Sequence, residues 1–182
     1  EEEFGKSPAN PKGTNPSELP AAYALSAVGS QVVPALIEEL AHDHWAVRAA
    51  SADVLGNLAL VAGDAVQSLS RCLEDVNVWV RRNAAEALGN IAEGSAASAL
   101  TAGLNDEDWR IRFNIAFALA KIGSGGEEAV PALGKLLRDE NRYVRHYAAL
   151  ALNRIGTPKA QELIWDNLIT ARWCPLTTPE SR

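Results

Sequence analysis

Methionine is missing from all 182 residues, and there are only two cysteines. A chain without methionine is expected to have been processed at its start or to be a piece of something longer. Two cysteines make no disulfide framework. Cys72 sits beside Leu73 at a core position, where a thiol acts as a small hydrophobe, and Cys174 falls in the C-terminal stretch; both are expected to be unpaired. No apolar run approaches the ~20 residues of a membrane helix, and the N-terminus lacks the apolar region of a signal peptide. The expectation is therefore a soluble, cytoplasmic protein with no membrane partner. Basic residues are also too few for a broad nucleic-acid footprint: the formal charge is −6 and the pI about 5.1, which makes nucleic acid an unlikely partner but leaves a local basic patch open. Alternating apolar and polar runs bounded by hairpin turns are absent too, which argues against a sheet.

What the chain does have is alanine-rich apolar content, 47% hydrophobic in all, and a repeat. Val47, Val80, Ile111 and Val144 each precede an arginine (Arg48, Arg81, Arg112, Arg145), and seven residues beyond each arginine stands Leu55, Leu88, Leu119 or Leu152. The arginines are 33, 31 and 33 residues apart. Self-similarity at that period marks stacked repeats, in which no unit buries its apolar face alone.

Residues 1–15 combine an acidic cluster with prolines and other breakers, and read as a disordered tail. Order is expected from Pro16: Asn15 can cap, Pro16 suits the first helical position, and Ala24, Leu25 and Val28 follow at helical spacing before Gly29. That segment is half a repeat. Thereafter each unit reads helix, turn, helix. The first helices carry Leu36 and Leu40, Leu69 and Leu73, Leu100 and Leu104, Leu133 and Leu137, each pair on one face. Asp43, Asp75, Asp106 and Asp139 close them, where a carboxylate can cap the second helix. Second helices run from about Trp45, Val78, Asp108 and Asn141 to Leu58, Ile91, Ile122 and Ile155, with Gly123 and Gly156 as stops. A last first-type helix uses Leu163, Ile164 and Leu168, and residues 171–182 read as an extended tail. The expected fold is thus all-α, a right-handed α-solenoid of about four full repeats plus a half-repeat at each end, over residues 16–170.

Pro131-Ala132-Leu133, Asp139, Val144-Arg145, Ala151-Leu152 and Ile155-Gly156 together resemble the short HEAT-like repeats of the phycobilin lyase subunit type. The resemblance spans about Pro16 to Leu168. It implies the solenoid strongly and a function only weakly, because such repeats serve as protein scaffolds, chromophore lyase subunits, a di-iron hydroxylase and DNA-binding glycosylases. It also implies a role for the arginine column: in that family the arginine reaches the acidic turn residue of its own or an adjacent repeat. Here Asp75, Asp106 and Asp139 each stand six residues before an arginine. The expected structural ladder is Arg48, Arg81, Arg112 and Arg145 with Asp75, Asp106 and Asp139. The first repeat departs from it, with His42 at the aligned position and Asp43 one residue later, which puts the Arg48 contact in doubt.

The hydroxylase members bind iron through His-Glu pairs on second helices, and none of the matching pairs here (Ala49-Ala50, Arg82-Asn83, Phe113-Asn114, His146-Tyr147) carries both ligands. His42 and His44 flank Asp43 in a turn and are expected to be solvated. No Ser/His/Asp set, phosphate loop or paired carboxylate is legible, so the expectation is no catalytic site, no metal and no cofactor.

What remains is the outer face of the second helices. Relative to each arginine, the positions two before and one, five and nine after point away from the core face, and the position two after borders it. In the first repeat these are Ala46, Ala49, Ala50, Asp53 and Asn57, which are small and bland. Later repeats carry the candidate partner-binding set: Trp79, Arg82, Asn83, Glu86 (with Asn90), then Arg110, Phe113, Asn114, Phe117, Lys121, then Tyr143, His146, Tyr147, Arg154 (with Leu150). Aromatics mixed with arginine suit a binding surface, although Phe113 and Phe117 could instead pack between repeats. The expected function is a non-enzymatic scaffold holding a protein partner or attached domain on its concave face. The alternatives are a bilin lyase-type subunit and nucleic-acid binding through Arg82, Arg110, Lys121, His146 and Arg154.

Overall fold

The computed structural model describes residues 29–173. The expected N-terminal tail, the first half-repeat and Cys174 lie outside them. A short 3-10 turn over Gly29–Val32 leads into helix α1, Val33–Glu39. Thereafter come α2 (Trp45–Leu58), α3 (Val66–Cys72), α4 (Val78–Ile91), α5 (Ala97–Gly103), α6 (Trp109–Ile122), α7 (Val130–Leu136), α8 (Arg142–Ile155) and α9 (Pro158–Trp173). There is no strand among the described residues. The helix α9 runs on past Thr170, where the sequence suggested an extended tail; Asp166 to Trp173 contains no proline or glycine to stop it.

Short first helices alternate with second helices of 14 residues. The second helices pack closely on one another, far more so than the first helices do. Small residues permit this approach. A Cβ on Gly89 would lie 2.9 Å from the Ala118 Cβ, and one on Gly56 would lie 2.9 Å from the Ala87 Cα. The core is one continuous cluster running along the stack, with Leu55, Leu88, Leu119 and Leu152 fully buried.

Each interior turn is organised by one carboxylate, though not by direct capping as the sequence suggested. The N-caps are Asn77, Asp108 and Asn141, whose side chains accept from the N–H two residues on. The preceding Asp75, Asp106 and Asp139 accept the backbone N–H of those capping residues at 2.8–2.9 Å. In the first repeat, histidines take both places: His42 Nδ1 accepts from His44 N–H at 2.9 Å, and His44 Nδ1 accepts from Ala46 N–H at 3.2 Å. An imidazole nitrogen can replace the Asx oxygen because its neutral form has a lone pair there.

The same carboxylates hold the stack together. Arg48 donates through Nε and Nη2 to Asp75 at 2.6 and 2.9 Å. Arg81 does so to Asp106 at 2.8 and 3.3 Å, and Arg112 to Asp139 at 2.8 and 3.1 Å. Every Nη1 points back to carbonyl oxygens of its own turn, as Arg112 does to Asp106 and Glu107. The ladder therefore runs forward, each arginine taking the aspartate of the next repeat. Consequently the doubt over Arg48 is resolved, because its partner is Asp75 and His42 supplies only a carbonyl. Arg145 bonds the carbonyls of Asp139 and Glu140 and has no carboxylate partner among the described residues. The side chains of Arg112 and Asp139 are only 10% and 6% exposed. Burial alone would raise the Asp139 pKa, but the Arg112 hydrogen bond, the Asn141 N–H and the nearby arginine charges outweigh it and hold the carboxyl below its usual range. The hydrogen bond from Arg112 to Asp139 is also what raises the pKa of the guanidinium.

Second helices end in positive-φ residues. Gly123 (φ 67, ψ −127) and Ala59 (φ 48, ψ −117) open the long 3-10 connections Gly123–Ala129 and Ala59–Ala65. Gly156 (φ 71, ψ 8) and Ala92 (φ 54, ψ 33) open shorter links. The sign of ψ at the cap thus follows the length of the connection, negative before the seven-residue 3-10 segments and positive before the shorter links.

Candidate functional site

The second helices carry the candidate residues. In the third and fourth repeats the rings form a connected set across the α6/α8 boundary. Tyr147 is its hub, receiving Phe113 at 4.8 Å and Phe117 at 5.4 Å in edge-on contacts, with His146 beside it at 5.1 Å. Edge-on geometry places positive ring edges against negative ring faces. Phe113 and Tyr147 are half-buried against the core, whereas Phe117 remains 38% exposed and Tyr143 46% exposed. The two sequence readings of the phenylalanines therefore do not exclude one another: both rings pack between repeats, and Phe117 also presents surface.

Basic groups sit around these rings. Lys121 Nζ lies 5.6 Å from the Phe117 centroid and donates to Asn90 at 3.0 Å. Arg82 stacks over Trp79 at 5.4 Å. The guanidinium of Arg110 lies over Trp109 at 4.7 Å and 3.8 Å from Asp108. Exposed Arg154 donates to the Ala120 carbonyl at 3.4 Å, and Glu86 and His146 are exposed as well.

Two residues in the candidate set are buried. Asn83 donates to the Ala49 carbonyl at 2.9 Å, and Asn114 to the Arg82 carbonyl at 3.4 Å. Both cross from one second helix to the one before, filling the gap that small residues leave, and they belong to the stacking. Trp79 is half-buried against the core. Trp109 and Arg142 were not selected from the sequence, yet Trp109 stacks on Tyr143 at 6.3 Å and Arg142 lies over Tyr143 at 4.7 Å. The signal was available: they stand four residues before Phe113 and His146, on the same helical face.

The first repeat is different. Ala49 is buried, Asp53 accepts from Asn57 at 3.2 Å, and no aromatic occupies these columns. Among the described residues, no three His, Cys, Asp or Glu side chains converge where a metal ion could be held. Cys72 is buried with Sγ 3.9 Å from the Leu40 carbonyl, and burial pushes its pKa up to about 11, so the thiol stays protonated. At the C-terminal end α9 exposes Trp165, Leu168 and Ile169. Leu168, one of the apolar positions read for this last helix, has no second helix beside it among the described residues. None of the described helices is long and apolar enough to cross a membrane.

Comparison with known proteins fits this architecture. No curated protein matches by sequence. Among solved structures, an engineered protein is 28% identical with a TM-score of 0.66, the match covering 91% of this chain and 80% of that one. A designed armadillo repeat protein in complex with the peptide (KR)4 is 19% identical with a TM-score of 0.65, over 83% and 80% of the two chains. The complex of CpcE and CpcF of phycocyanin lyase from Nostoc sp. PCC7120 is 24% identical with a TM-score of 0.63, over 88% and 72%. At their identities the last two show the fold alone. Residues 33–112 and 97–173 both match the HEAT repeat model, and with the forward arginine ladder and the paired helices they cover, the chain belongs to the HEAT repeat family.

Proposed function

We propose that this chain is a protein-binding scaffold that holds its partner along the inner layer of second helices in repeats two to four. The observation that carries the reading is the series of rings and cations on second helices from Trp79 to Arg154, connected in repeats three and four, in which Phe117 and Tyr143 stay exposed. Exposed rings rimmed by arginine and asparagine are the usual mark of an interaction surface. The designed relative with its bound peptide makes a peptide or protein a reasonable occupant for such a stack.

The experiment is capture from an extract of the source organism on immobilised chain, run in parallel with Phe117→Ala, Tyr143→Ala and Asp53→Ala variants. A protein retained by the parent and by Asp53→Ala but lost from both ring variants supports the reading. Once purified, that partner should lose about 2 kcal/mol of binding on truncation of a central ring. Equal retention by all four chains places the partner elsewhere on the molecule. A stoichiometric change in the absorbance of a free bilin on mixing assigns the chain to chromophore handling instead.

A further inference from the structure

We infer that the segment received by this face is acidic, with its carboxylates over the third and fourth repeats and an apolar side chain on the Phe117–Tyr147 pair. This rests on the docking reading above and adds the chemistry of the occupant.

The inference comes from how charge is distributed. The chain as a whole is acidic, with 23 Asp and Glu against 17 Lys and Arg. Its second helices are not. On α2, α4, α6 and α8 the acidic residues are Asp53 and Glu86, whereas the same helices carry Arg82, Arg110, Lys121, Arg142 and Arg154 besides the ladder arginines. Arg48, Arg81 and Arg112 are neutralised by turn carboxylates and do not count toward the face. Arg82, Lys121 and Arg154 have no carboxylate partner among the described residues. They lie instead over a ring, on an amide oxygen and on a backbone carbonyl.

The charge also rises along the stack. The first repeat presents Ala46, Ala50, Asp53 and Asn57, the second balances Arg82 with Glu86, and the third and fourth add Lys121 and Arg154 with no acidic residue in the same columns. A cation held against a ring face, an amide oxygen or a carbonyl keeps its full charge, so a carboxylate arriving there meets charges that no intramolecular carboxylate neutralises.

Nucleic acid fits less well. The acidic groups of Glu107 and Glu140 stand 92% and 84% exposed at the turns from which α6 and α8 start. A polyphosphate long enough to span several repeats covers more of the surface and its exposed carboxylates, whereas a short peptide can place its carboxylates on the cations alone. The negative overall field also opposes a long polyanion.

The test is fluorescence anisotropy of the full chain with three labelled probes: a peptide of alternating glutamate and leucine, the same peptide with lysine for glutamate, and single-stranded DNA of equal length. The expected result is saturable binding of the glutamate peptide that weakens with added salt, and no binding of the lysine peptide. Lys121→Glu and Arg154→Glu, both at exposed positions, should each weaken the glutamate peptide about tenfold with unchanged circular dichroism, and Asp53→Ala should leave it unchanged. Binding of the lysine peptide that is lost in Phe117→Ala overturns the charge inference and leaves the docking surface standing. DNA binding tighter than either peptide, and sensitive to the same two reversals, overturns it in favour of nucleic acid. Failure of all three probes to bind overturns the charge inference, and the docking reading then stands or falls on the capture experiment alone.

Discussion

Replacing Arg112 by alanine removes the best-buried rung of the ladder, and its cost can be worked from the contacts. The side chain makes two charge-assisted bonds to Asp139 and two bonds to carbonyl oxygens, all at 2.8–3.1 Å. Its loss leaves a carboxylate that is 6% exposed with the Asn141 N–H as its remaining donor. Removing one partner of a buried pair costs about 3–5 kcal/mol; the lower end applies here because the turn edge admits water. At about 2–4 °C per kcal/mol for a chain of this size, a loss of about 3 kcal/mol lowers Tm by roughly 6–12 °C. Arg145 is the internal control: it makes the same carbonyl bonds on an exposed side chain and pairs with no described carboxylate, so Arg145→Ala should cost at most about 1 kcal/mol. Thermal melts of both variants and a double-mutant cycle with Asp139→Ala measure the difference. The pH dependence adds a sign. Because folding lowers the Asp139 pKa, its contribution is present above the unfolded value near 3.9 and is lost as pH falls through the folded one; Arg112→Ala should flatten that acid limb. Equal Tm shifts for Arg112→Ala and Arg145→Ala, or a coupling energy near zero, refute the forward ladder as a source of stability.

Ala59 holds φ 48 and ψ −117, a region nearly reserved for glycine. Ala59→Gly should therefore raise stability by about 1 kcal/mol in a denaturant melt, while Ala92→Gly, already in the left-handed well, changes it less. His44→Asn restores the cap used at Asn77 and Asn141, shortening a 3.2 Å bond toward 2.9 Å, and should add about 0.5–1 kcal/mol by the same assay. Gly89→Ala brings a Cβ against the Ala118 backbone and should cost about 2 kcal/mol, although alanine favours helix; Gly94→Ala, with nothing nearby, is the control. Tyr147→Ala should lower Tm clearly because it removes the hub of three ring contacts, whereas Phe117→Ala, more exposed, should cost about 1 kcal/mol or less.

The fold was legible because its signals are local and repeated. The leucine pairs and the arginine column mark the helices, and the second helices begin and end within a residue of the positions read from the sequence. What the sequence obscured was direction. A six-residue gap between Asp106 and Arg112 fits a contact within one turn, and Nη1 does reach that turn, but at a carbonyl. The carboxylate partner lies 27 residues ahead, because the guanidinium has five donors in a fixed fork and can serve two repeats at once. For Asn83 and Asn114 the helical wheel was right about the edge and wrong about exposure. Small residues such as Ala87 and Gly56 draw the helices together, and that approach depends on two repeats at once, so it leaves no trace in either one alone.

The arrangement of the turn carboxylates explains how the second-helix face came to differ so much between repeats. Each aspartate receives the N–H of its own cap residue and the two donors of the arginine before it, so one short side chain fixes both the start of a helix and the junction to its neighbour. The charges that hold the stack are confined to the turn edge. Stability then depends on the leucine core and on this edge, and the columns at one, five and nine residues past each arginine carry no comparable duty. That freedom is used unevenly. The first repeat fills its columns with Ala49, Asp53 and Asn57, and the third fills them with Phe113, Phe117 and Lys121, although both use the same ladder geometry. If the rings were needed to hold repeats together, the first junction, which lacks them, should be loose; instead α2 and α4 pack as closely as any pair of second helices in the stack. Packing alone therefore does not account for the exposed aromatic rings in the later repeats, which is the condition that the docking role proposed for this face requires.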